Sequence, residues 1–412
     1  MLHDEGVNVY SAYVFQWTFL HTSYNIVTNT IVSKRYYSKL DRGYLPLISL
    51  SVSLPCIDIR NRSLYKMHKK NLDWSALSFS YKPCDYSYVS NYKDGAWDEG
   101  CLTTQHSLTI SECAGIFHYC QEVFEGLKAY STKDGRVVCF RPDQNAQRMS
   151  DSAKRLCMPS FPQERFVAAV EEVVRANADW IPPFGSGATL YIRPFMIATG
   201  DVIGVKPADE YQFRILVTPV GPYYQGGVKP VRVRVPKYDR AAPHGTGNIK
   251  AGLNYAMSMY PSVEAHSLGF ADNMYLDPQT HTFVEESGGA NFLFVDAQGH
   301  LIVPQSATDS ILPSITRRSL VDVAEKLLNI TVEERPVRFD EVHNFVECGM
   351  CGTAAVISPV GEVQNGEETI AFGAGMKEVG PVMKLLRKTL TDIQSAERED
   401  TFGWVHEITL EV

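Results

Sequence analysis

A lysine lies among small and apolar residues in the stretch HGTGNIKAGLNYA, which begins at residue 244. Lys250 is flanked by Ile249 and Ala251, whereas surface lysines usually lie among other polar side chains. Burial disfavours the charged form of an amine, so a lysine in such a pocket releases its proton more readily. We expect Gly247 and Gly252 to leave room for a flat ring beside the backbone. The stretch therefore indicates a reactive lysine.

A lysine that forms a Schiff base with pyridoxal phosphate requires partner groups elsewhere in the chain. The cofactor's ring nitrogen needs a carboxylate, and its ring hydroxyl needs a hydrogen-bonding partner. Its phosphate needs an arginine and backbone N–H groups at a helix start. The chain offers candidates at Glu285, Glu286, Arg148, Ile315, Thr316 and Thr353. Each feature alone is typical of ordinary structure, and only the combination favours a pyridoxal-phosphate site.

The composition is that of a globular protein and argues against a general nucleic-acid binder. Of the 412 residues, 44% are hydrophobic and 21% are charged, and the formal net charge is -8. Nucleic-acid binding needs a basic face that replaces counterions, and we predict no nucleic-acid or membrane partner. The length allows two domains and an additional segment.

The nine cysteines are scattered and odd in number, which is not the pattern of a disulfide-rich secreted domain. We therefore expect free thiols in a reducing compartment. Cys348 and Cys351 form a CxxC pair near His343. A structural zinc site normally has four ligands and the sequence offers no second pair, so we predict no metal site.

The first 66 residues differ in composition from the rest of the chain. They are rich in Tyr, Ser and Thr, and the apolar run at residues 44–57 is too short to span a bilayer. The run also lies too far from the start for a signal peptide. The segment is either an organelle-targeting sequence or a leader before a natural start at Met67, and we favour the leader. We expect it to be poorly structured and predict a cytoplasmic protein, with an organelle as the alternative.

Strands and helices mix from about residue 72 onward. Strands or hairpins are predicted for YSYVSNYKDGAWDEG, QEVFEGLKAYSTKDGRVVCF, ATLYIRPFMIAT, EYQFRILVTPV, VRVRV, DNMYLDPQTHTFVEE and NFLFVDAQGHLIV. Helices are predicted for DQNAQRMSDSAKRLCM, PQERFVAAVEEVVRANADWI, SITRRSLVDVAEKLL and VGPVMKLLRKTLTDI. A Gly- and Pro-rich stretch at residues 221–230 predicts a domain boundary. We expect a mixed α/β (α+β) fold with a small domain at 67–222, a loop at 223–230 and a large domain at 231–412.

From about residue 72 to the end, the chain resembles the branched-chain amino-acid aminotransferases, which are class IV, or fold-type IV, pyridoxal-phosphate enzymes. The matching motifs fall in family order, and two of them are similar to those of bacterial members of the long subgroup. They are QEVFEGLKAY, FRPDQNAQRM, TLYIRPF, VTPVGPYYQGG, YDRAAPHGTGNIKAGLNYA, VEESGGANFLFV, ILPSITRRSL and CGTAAVISPVGEV. The resemblance implies a two-domain fold like that of D-amino-acid aminotransferase.

The resemblance also implies roles for the cofactor site. Lys250 matches the Schiff-base lysine, which also moves the proton between the substrate's Cα and the cofactor. Tyr255 matches the tyrosine that hydrogen-bonds the ring oxygen. Glu286, five residues before Asn291, matches the ring-nitrogen carboxylate, and Glu285 does not. Arg148 matches the phosphate arginine. The remaining matches are Ile315, Thr316 and Thr353 for the phosphate, and the amides of Thr353 and Ala354 for the substrate's α-carboxylate.

The substrate pocket of the family accepts both aliphatic and acidic side chains by means of an aromatic box and one arginine. The matching aromatic residues here are Tyr119, Phe124, Tyr191 and Tyr223. Arg193 matches the arginine, which the tyrosine hydroxyls must satisfy because an unpaired buried arginine is costly. Ile203 and Val205 match a loop that a neighbouring subunit contributes, which implies a homodimer or a higher homo-oligomer.

The predicted function is transfer of the amine of L-leucine, L-isoleucine or L-valine to 2-oxoglutarate in a ping-pong cycle. The alternatives are another class IV activity, namely a D-amino-acid aminotransferase or an aminodeoxychorismate lyase, and a non-catalytic scaffold of the same fold. The YIRP arginine and the VGPYYQGG loop disfavour the first alternative. The presence of both Lys250 and Glu286 disfavours the second.

Overall fold

A computed structural model of the chain describes residues 69–221 and 227–410, all of which belong to one compact unit. The expectations for residues 1–66 and for Tyr223 lie outside the described residues. Within the described ranges, no helix is long and apolar enough to cross a membrane.

Seventeen strands and six α-helices make up the described part of the chain. The strands are β1 (Ser87–Lys93), β2 (Ala96–Trp97), β3 (Cys101–Thr103), β4 (Glu122–Phe124), β5 (Leu127–Ser131), β6 (Val137–Phe140), β7 (Thr189–Ala198), β8 (Tyr211–Val220), β9 (Val231–Arg234), β10 (Asp272–Asn273), β11 (Asn291–Val295), β12 (Leu301–Pro304), β13 (Val332–Arg335), β14 (Glu347–Gly352), β15 (Val356–Asn365), β16 (Glu368–Ala371) and β17 (Val405–Glu407). The helices are α1 (Gly115–Tyr119), α2 (Pro142–Arg155), α3 (Gln163–Ala176), α4 (Gly252–Ser267), α5 (Ile315–Leu327) and α6 (Pro381–Gln394). Short 3₁₀ turns occupy Trp74–Ala76, Ala178–Trp180 and Phe339–Asn344.

The first sheet has nine antiparallel strands in the order β17-β6-β5-β7-β8-β1-β2, with β3 on β1 and β4 on β7. Its β1–β2 hairpin closes through Asp94 and Gly95, whose φ angles of 52° and 84° are those of a type I′ turn. The turn predicted from the Asp-Gly pair is confirmed. Helices α2 and α3 bury their predicted apolar stripes in the core of this sheet, including Met149, Phe166 and Val173.

The second sheet has eight strands in the order β10-β9-β15-β14-β11-β12-β13, with β16 on β15. Three of its pairs are parallel, namely β9–β10, β9–β15 and β12–β13. Helices α5 and α6 pack against it through Leu320, Val323, Leu386 and Leu390, which are fully buried. The mixed α/β class is therefore confirmed.

Two segments differ from the sequence expectations. The stretch predicted as a hairpin around Asp277 is a loop closed by one isolated bridge between Leu276 and Val284, because the Asp277 carboxylate accepts backbone N–H groups from within the loop. Helix α4 lies outside the predicted helices, since it contains Pro261 and lacks a one-sided apolar stripe.

The strands up to β8 lie in the first sheet, those from β9 to β16 lie in the second, and β17 returns to the first. The division at residues 223–230 into a small and a large domain stays a prediction. Seven cysteines are free thiols, but Cys101 is disulfide-bonded, so the expectation of free thiols is wrong at that position. The described residues contain no group of acidic, His or Cys side chains that could hold a metal ion.

Candidate active site

Lys250 lies in the loop just before α4, and its backbone is held by elements of the first sheet. Its N–H donates to Ser152 Oγ of α2 at 3.0 Å, and its carbonyl accepts the N–H of Phe124 of β4 at 3.1 Å. The ammonium donates to the Tyr255 hydroxyl at 2.7 Å. It also lies 4.8 Å from the centre of the Phe124 ring and 5.1 Å from that of Tyr255. These contacts place the amine between two aromatic rings, beside a hydroxyl.

The two glycines near Lys250 make room for protein groups rather than for a flat ring. A Cβ on Gly252 would overlap the carboxylate of Glu122, and one on Gly247 would overlap the backbone of Ser310. The expectation that these glycines accommodate the cofactor is therefore wrong. Their role is to let the loop pack closely against its neighbours.

Glu286 is buried and its carboxylate is fully engaged. Oε1 accepts the N–H of Leu312 at 2.8 Å and forms an ion pair with Arg240 at 2.7 Å, and Oε2 accepts Asn291 Nδ2 at 3.0 Å. Burial raises the pKa of Glu286 to about 6, against the opposing effect of Arg240. The group is a carboxylate whose charge is maintained by directed donors, as a partner for a protonated ring nitrogen requires.

The neighbouring Glu285 is used differently. Its Oε1 accepts the hydroxyls of Ser306, Thr308 and Ser310, all from the loop that precedes α5. Glu285 therefore stabilises that loop, while Glu286 is bonded to Leu312 and Asn291 at the entrance to β11. This difference favours Glu286 over Glu285, in agreement with the family spacing.

Arg148 on α2 forms a buried bidentate ion pair with Glu125, a residue that the sequence reasoning missed. Arg148 Nε and Nη2 donate to the two Glu125 oxygens at 2.7 and 2.8 Å, and the Glu125 side chain is 0% exposed. Burial alone would raise the pKa of Glu125, yet the Arg148 guanidinium holds it below its usual value. Nothing in the local sequence marks Glu125, because its partner comes from another element.

Cationic groups concentrate at the start of α5. Arg148 Nη1 donates to the Pro313 carbonyl at 3.3 Å, and the N-cap Ser314 accepts the N–H of Arg317. Burial lowers the pKa of Arg318, and the nearby Arg141, Arg148 and Arg317 lower it further. Ile315 and Thr316, the first two residues of this 13-residue helix, line one small cavity with Thr353. Positive charge in excess at a helix N-terminus is the environment that a phosphate dianion needs, so these residues fit pyridoxal phosphate.

Three of the predicted pocket residues come together beside Lys250. The Arg193 guanidinium lies 4.8 Å from the ring centre of Phe124 and 5.2 Å from that of Tyr191, and it donates to the Tyr191 hydroxyl at 3.0 Å. Its Nε is buried and, among the described residues, has no hydrogen-bond partner. The Phe124 ring also tilts against Tyr255 at 4.9 Å. The arrangement offers both an apolar surface and an arginine that can receive an acidic group.

The other predicted pocket residues form a separate group. The Tyr119 hydroxyl donates to the carbonyl of Ile203, and the Ile203 and Val205 side chains are 78% and 90% exposed. Ala354 lies in the turn between β14 and β15, and its carbonyl accepts Lys128 Nζ at 2.7 Å. Arg240 and Lys128 are further residues that the sequence reasoning did not identify. A signal for either would have required knowledge of distant contacts.

Comparison with known proteins places this site in a known class. The family model described as amino-transferase class IV matches residues 122–363, a range that contains Lys250, Tyr255, Glu286 and Arg148. The chain belongs to the class IV aminotransferases.

Curated relatives narrow the assignment within that class. The branched-chain-amino-acid aminotransferase of Haemophilus influenzae is 49% identical over 341 residues, covering 82% of this chain and 98% of that protein. The enzyme of the same name from Helicobacter pylori is 43% identical over 341 residues, with the same coverage. The family is that of the branched-chain-amino-acid aminotransferases, as the sequence motifs predicted.

Solved structures have the same fold. The branched-chain amino acid aminotransferase of Escherichia coli superposes with a TM-score of 0.67 at 28% identity, covering 79% of this chain and 100% of that one. The enzyme of Thermoproteus uzoniensis with norvaline has a TM-score of 0.65 at 25% identity, covering 78% and 100%. Two further solved enzymes of this name contain pyridoxamine 5'-phosphate and N-(5'-phosphopyridoxyl)-L-glutamate. The prediction of fold type IV is confirmed, and the cofactor of this enzyme class is pyridoxal 5'-phosphate.

The Glu125–Arg148 pair yields a stability prediction for the cofactor-free protein. Arg148→Ala should lower the free energy of unfolding by about 3–5 kcal/mol, because it leaves a buried carboxylate without its partner. Lys388→Ala removes a surface ion pair with Asp392 (2.5 Å) and should cost no more than about 1 kcal/mol. Denaturant titration measures both. The double variant Glu125→Gln/Arg148→Met should be less destabilised than Arg148→Ala, and equal losses would contradict this interpretation.

Proposed function

We propose that the chain transfers the amine of L-leucine, L-isoleucine or L-valine to 2-oxoglutarate in two half-reactions. The carrying observation is the arrangement in which Lys250 Nζ meets the Tyr255 hydroxyl at 2.7 Å, beside the group formed by Phe124, Tyr191 and Arg193. An amine positioned by a hydroxyl at the edge of an aromatic pocket suits proton transfer at the α-carbon of an aliphatic amino acid.

Pyridoxal phosphate supplies an electron sink that stabilises negative charge at the substrate's α-carbon. In our proposal Lys250 anchors the cofactor covalently, then takes the α-proton and returns it. Tyr255 directs the Lys250 amine and hydrogen-bonds the ring oxygen. Glu286 holds the proton of the ring nitrogen, and Arg240 and Asn291 orient the Glu286 carboxylate. The phosphate is bound by Arg148, Ile315, Thr316 and Thr353.

The two substrates present one pocket with different side chains. An aliphatic side chain packs against Phe124 and Tyr191, while the Tyr191 hydroxyl keeps one Arg193 nitrogen satisfied. The side-chain carboxylate of glutamate pairs with Arg193, whose buried Nε supplies a further donor. Tyr223 completes the aromatic box in this proposal. The Thr353 and Ala354 amides bind the α-carboxylate of either substrate.

We propose a homodimer in which the Tyr119–Ile203 segment of one subunit covers the pocket of the other. Ile203 and Val205 are far more exposed than apolar side chains usually are, and α4 exposes Met259, Tyr260 and Val263 by 64–69%. Light scattering after size-exclusion chromatography should give twice the mass of the chain or a higher even multiple. A monomer at micromolar concentration would contradict the proposal. The cytoplasmic location stays a prediction.

The decisive experiment compares amine donors with 2-oxoglutarate as the acceptor. The purified protein with pyridoxal phosphate should release glutamate from L-leucine, L-isoleucine and L-valine, with parallel double-reciprocal plots typical of a ping-pong cycle. D-alanine should give no product. Activity with the D-amino acid alone would establish the alternative class IV activity. A protein that binds the cofactor without any turnover would establish the scaffold.

A further inference from the structure

Lys128 connects the first sheet to the turn that follows β14. It lies on β5 directly opposite Tyr191 of β7, so its side chain shares a sheet face with a pocket residue. Its ammonium reaches the Ala354 carbonyl at 2.7 Å, across 226 positions of sequence. A charge-assisted hydrogen bond of this length is among the stronger contacts that a backbone carbonyl makes. The contact ties residues 353–355 to the sheet that carries Tyr191 and Arg193.

The turn is held in a conformation that its own residues do not favour. Gly352 pairs with Val356 across it, and Val356 has a φ of 64° while being 5% exposed. A β-branched residue is strongly disfavoured in the left-handed region, so the surrounding structure must impose this shape. The carbonyl of Ala354 and the N–H of Ala355 belong to one planar peptide and point in opposite directions. Fixing that carbonyl on Lys128 therefore directs the following N–H away from Lys128.

The charge of Lys128 is not neutralised within the described residues, where it has no ion pair with a carboxylate. It lines a cavity of about 740 Å³ with Arg387 of α6, Ala354 and Ala355, and Glu397 is the carboxylate in that lining. Burial, followed by the repulsion of Arg387, lowers the pKa of Lys128 to about 8. The positive charge is therefore placed behind the turn at a cost, which a purely structural contact does not require.

We propose that Lys128 is a positioning residue for the substrate's α-carboxylate: it holds the 353–355 turn so that the turn's N–H groups face that carboxylate, and its charge favours the anion. This inference rests on the proposed function, because it takes the Thr353 and Ala354 amides as the carboxylate's binding groups. It adds a residue from the first sheet to a recognition element of the second.

The test uses two probes with the leucine skeleton, 4-methylpentanoate and the neutral 4-methylpentanamide, titrated into the holoenzyme. Lys128→Met should weaken binding of the carboxylate by about tenfold to a hundredfold, the range for a lost hydrogen bond to a charged group. Binding of the amide should change by less than about threefold on the same reasoning, and Lys128→Arg should restore most of the carboxylate affinity. In turnover, KM for L-leucine should rise more than kcat falls.

Lys133→Met is the matched control, since Lys133 is an exposed lysine just beyond β5 and its replacement should leave the binding of both probes as in the native protein. Lys128→Gln replaces the methionine variant if that variant does not fold. An equal loss of affinity for the two probes, or no loss for either, would overturn the inference. Lys128-dependent binding of the carboxylate in a protein without transaminase activity would refute the proposed function instead.

Discussion

Lys250→Ala is expected to abolish transamination, lowering kcat by at least about four orders of magnitude. The variant loses the covalent anchor of the cofactor and the base that moves the α-proton, and positioned acid–base catalysis alone contributes up to about 10⁴-fold. Lys250 is suited to both tasks because its ammonium is directed by Tyr255 and flanked by Phe124. Single-turnover spectroscopy with L-leucine measures the loss directly, because the amine acceptor is then absent.

Two controls separate the chemistry of Lys250 from its place in the fold. Lys384→Ala removes an exposed lysine of α6 and should leave kcat unchanged. Lys250→Met keeps an aliphatic chain of similar length in the pocket and should be as inactive as the alanine variant while folding as well as the native protein. Measurable turnover by either Lys250 variant would mean that another amine does the chemistry.

Glu286→Gln is expected to lower kcat by about 10²–10³-fold, the usual cost of removing one electrostatic stabiliser from an active site. An amide still accepts a hydrogen bond but carries no charge, so it does not hold a proton on the ring nitrogen. Glu285→Gln is the matched control, because that side chain serves the serine and threonine hydroxyls of the neighbouring loop. Its kcat should stay within a few-fold of the native value. Equal losses in the two variants would show that the acidic pair acts as one structural unit.

The raised pKa of Glu286 predicts how cofactor affinity depends on pH. Burial places this pKa at about 6 in the cofactor-free protein, whereas a bound protonated ring keeps the carboxylate ionised. As pH falls below about 6, binding must release a proton, so the affinity for pyridoxal phosphate should fall roughly tenfold per pH unit. The cofactor's phosphate also titrates near pH 6, so the measured quantity is the difference between the native protein and Glu286→Gln. Identical pH profiles would contradict this assignment.

The same pKa acts with the opposite sign on the stability of the cofactor-free protein. A carboxyl group whose folded pKa lies above its ordinary value stabilises the fold fully below that ordinary value. Its contribution is then lost as pH rises through about 6. Cofactor binding and apoprotein stability therefore respond to Glu286 in opposite directions over one pH range, and one pair of titrations distinguishes the two effects.

Local chemistry made much of the fold predictable. The Asp94-Gly95 pair specifies a type I′ turn because both residues tolerate positive φ, and the spacing of Met149, Phe166 and Val173 places each on the buried side of its helix. Helix α4 escaped prediction because its exposed apolar residues and its proline remove the one-sided pattern on which such predictions depend. In our proposal that surface is buried by a second copy of the chain, which the pattern of a single sequence does not encode.

By itself the sequence determined the family, the reactive lysine and the elements near it, because family motifs and short-range spacing are written along the chain. Only the tertiary structure decided which groups surround them. It paired Arg148 with Glu125 and Glu286 with Arg240, and it brought Lys128 to the Ala354 carbonyl. Those contacts join residues 23 to 226 positions apart. Charge pairing depends on distance and burial in space, and neither quantity is fixed until the sheets and helices have packed.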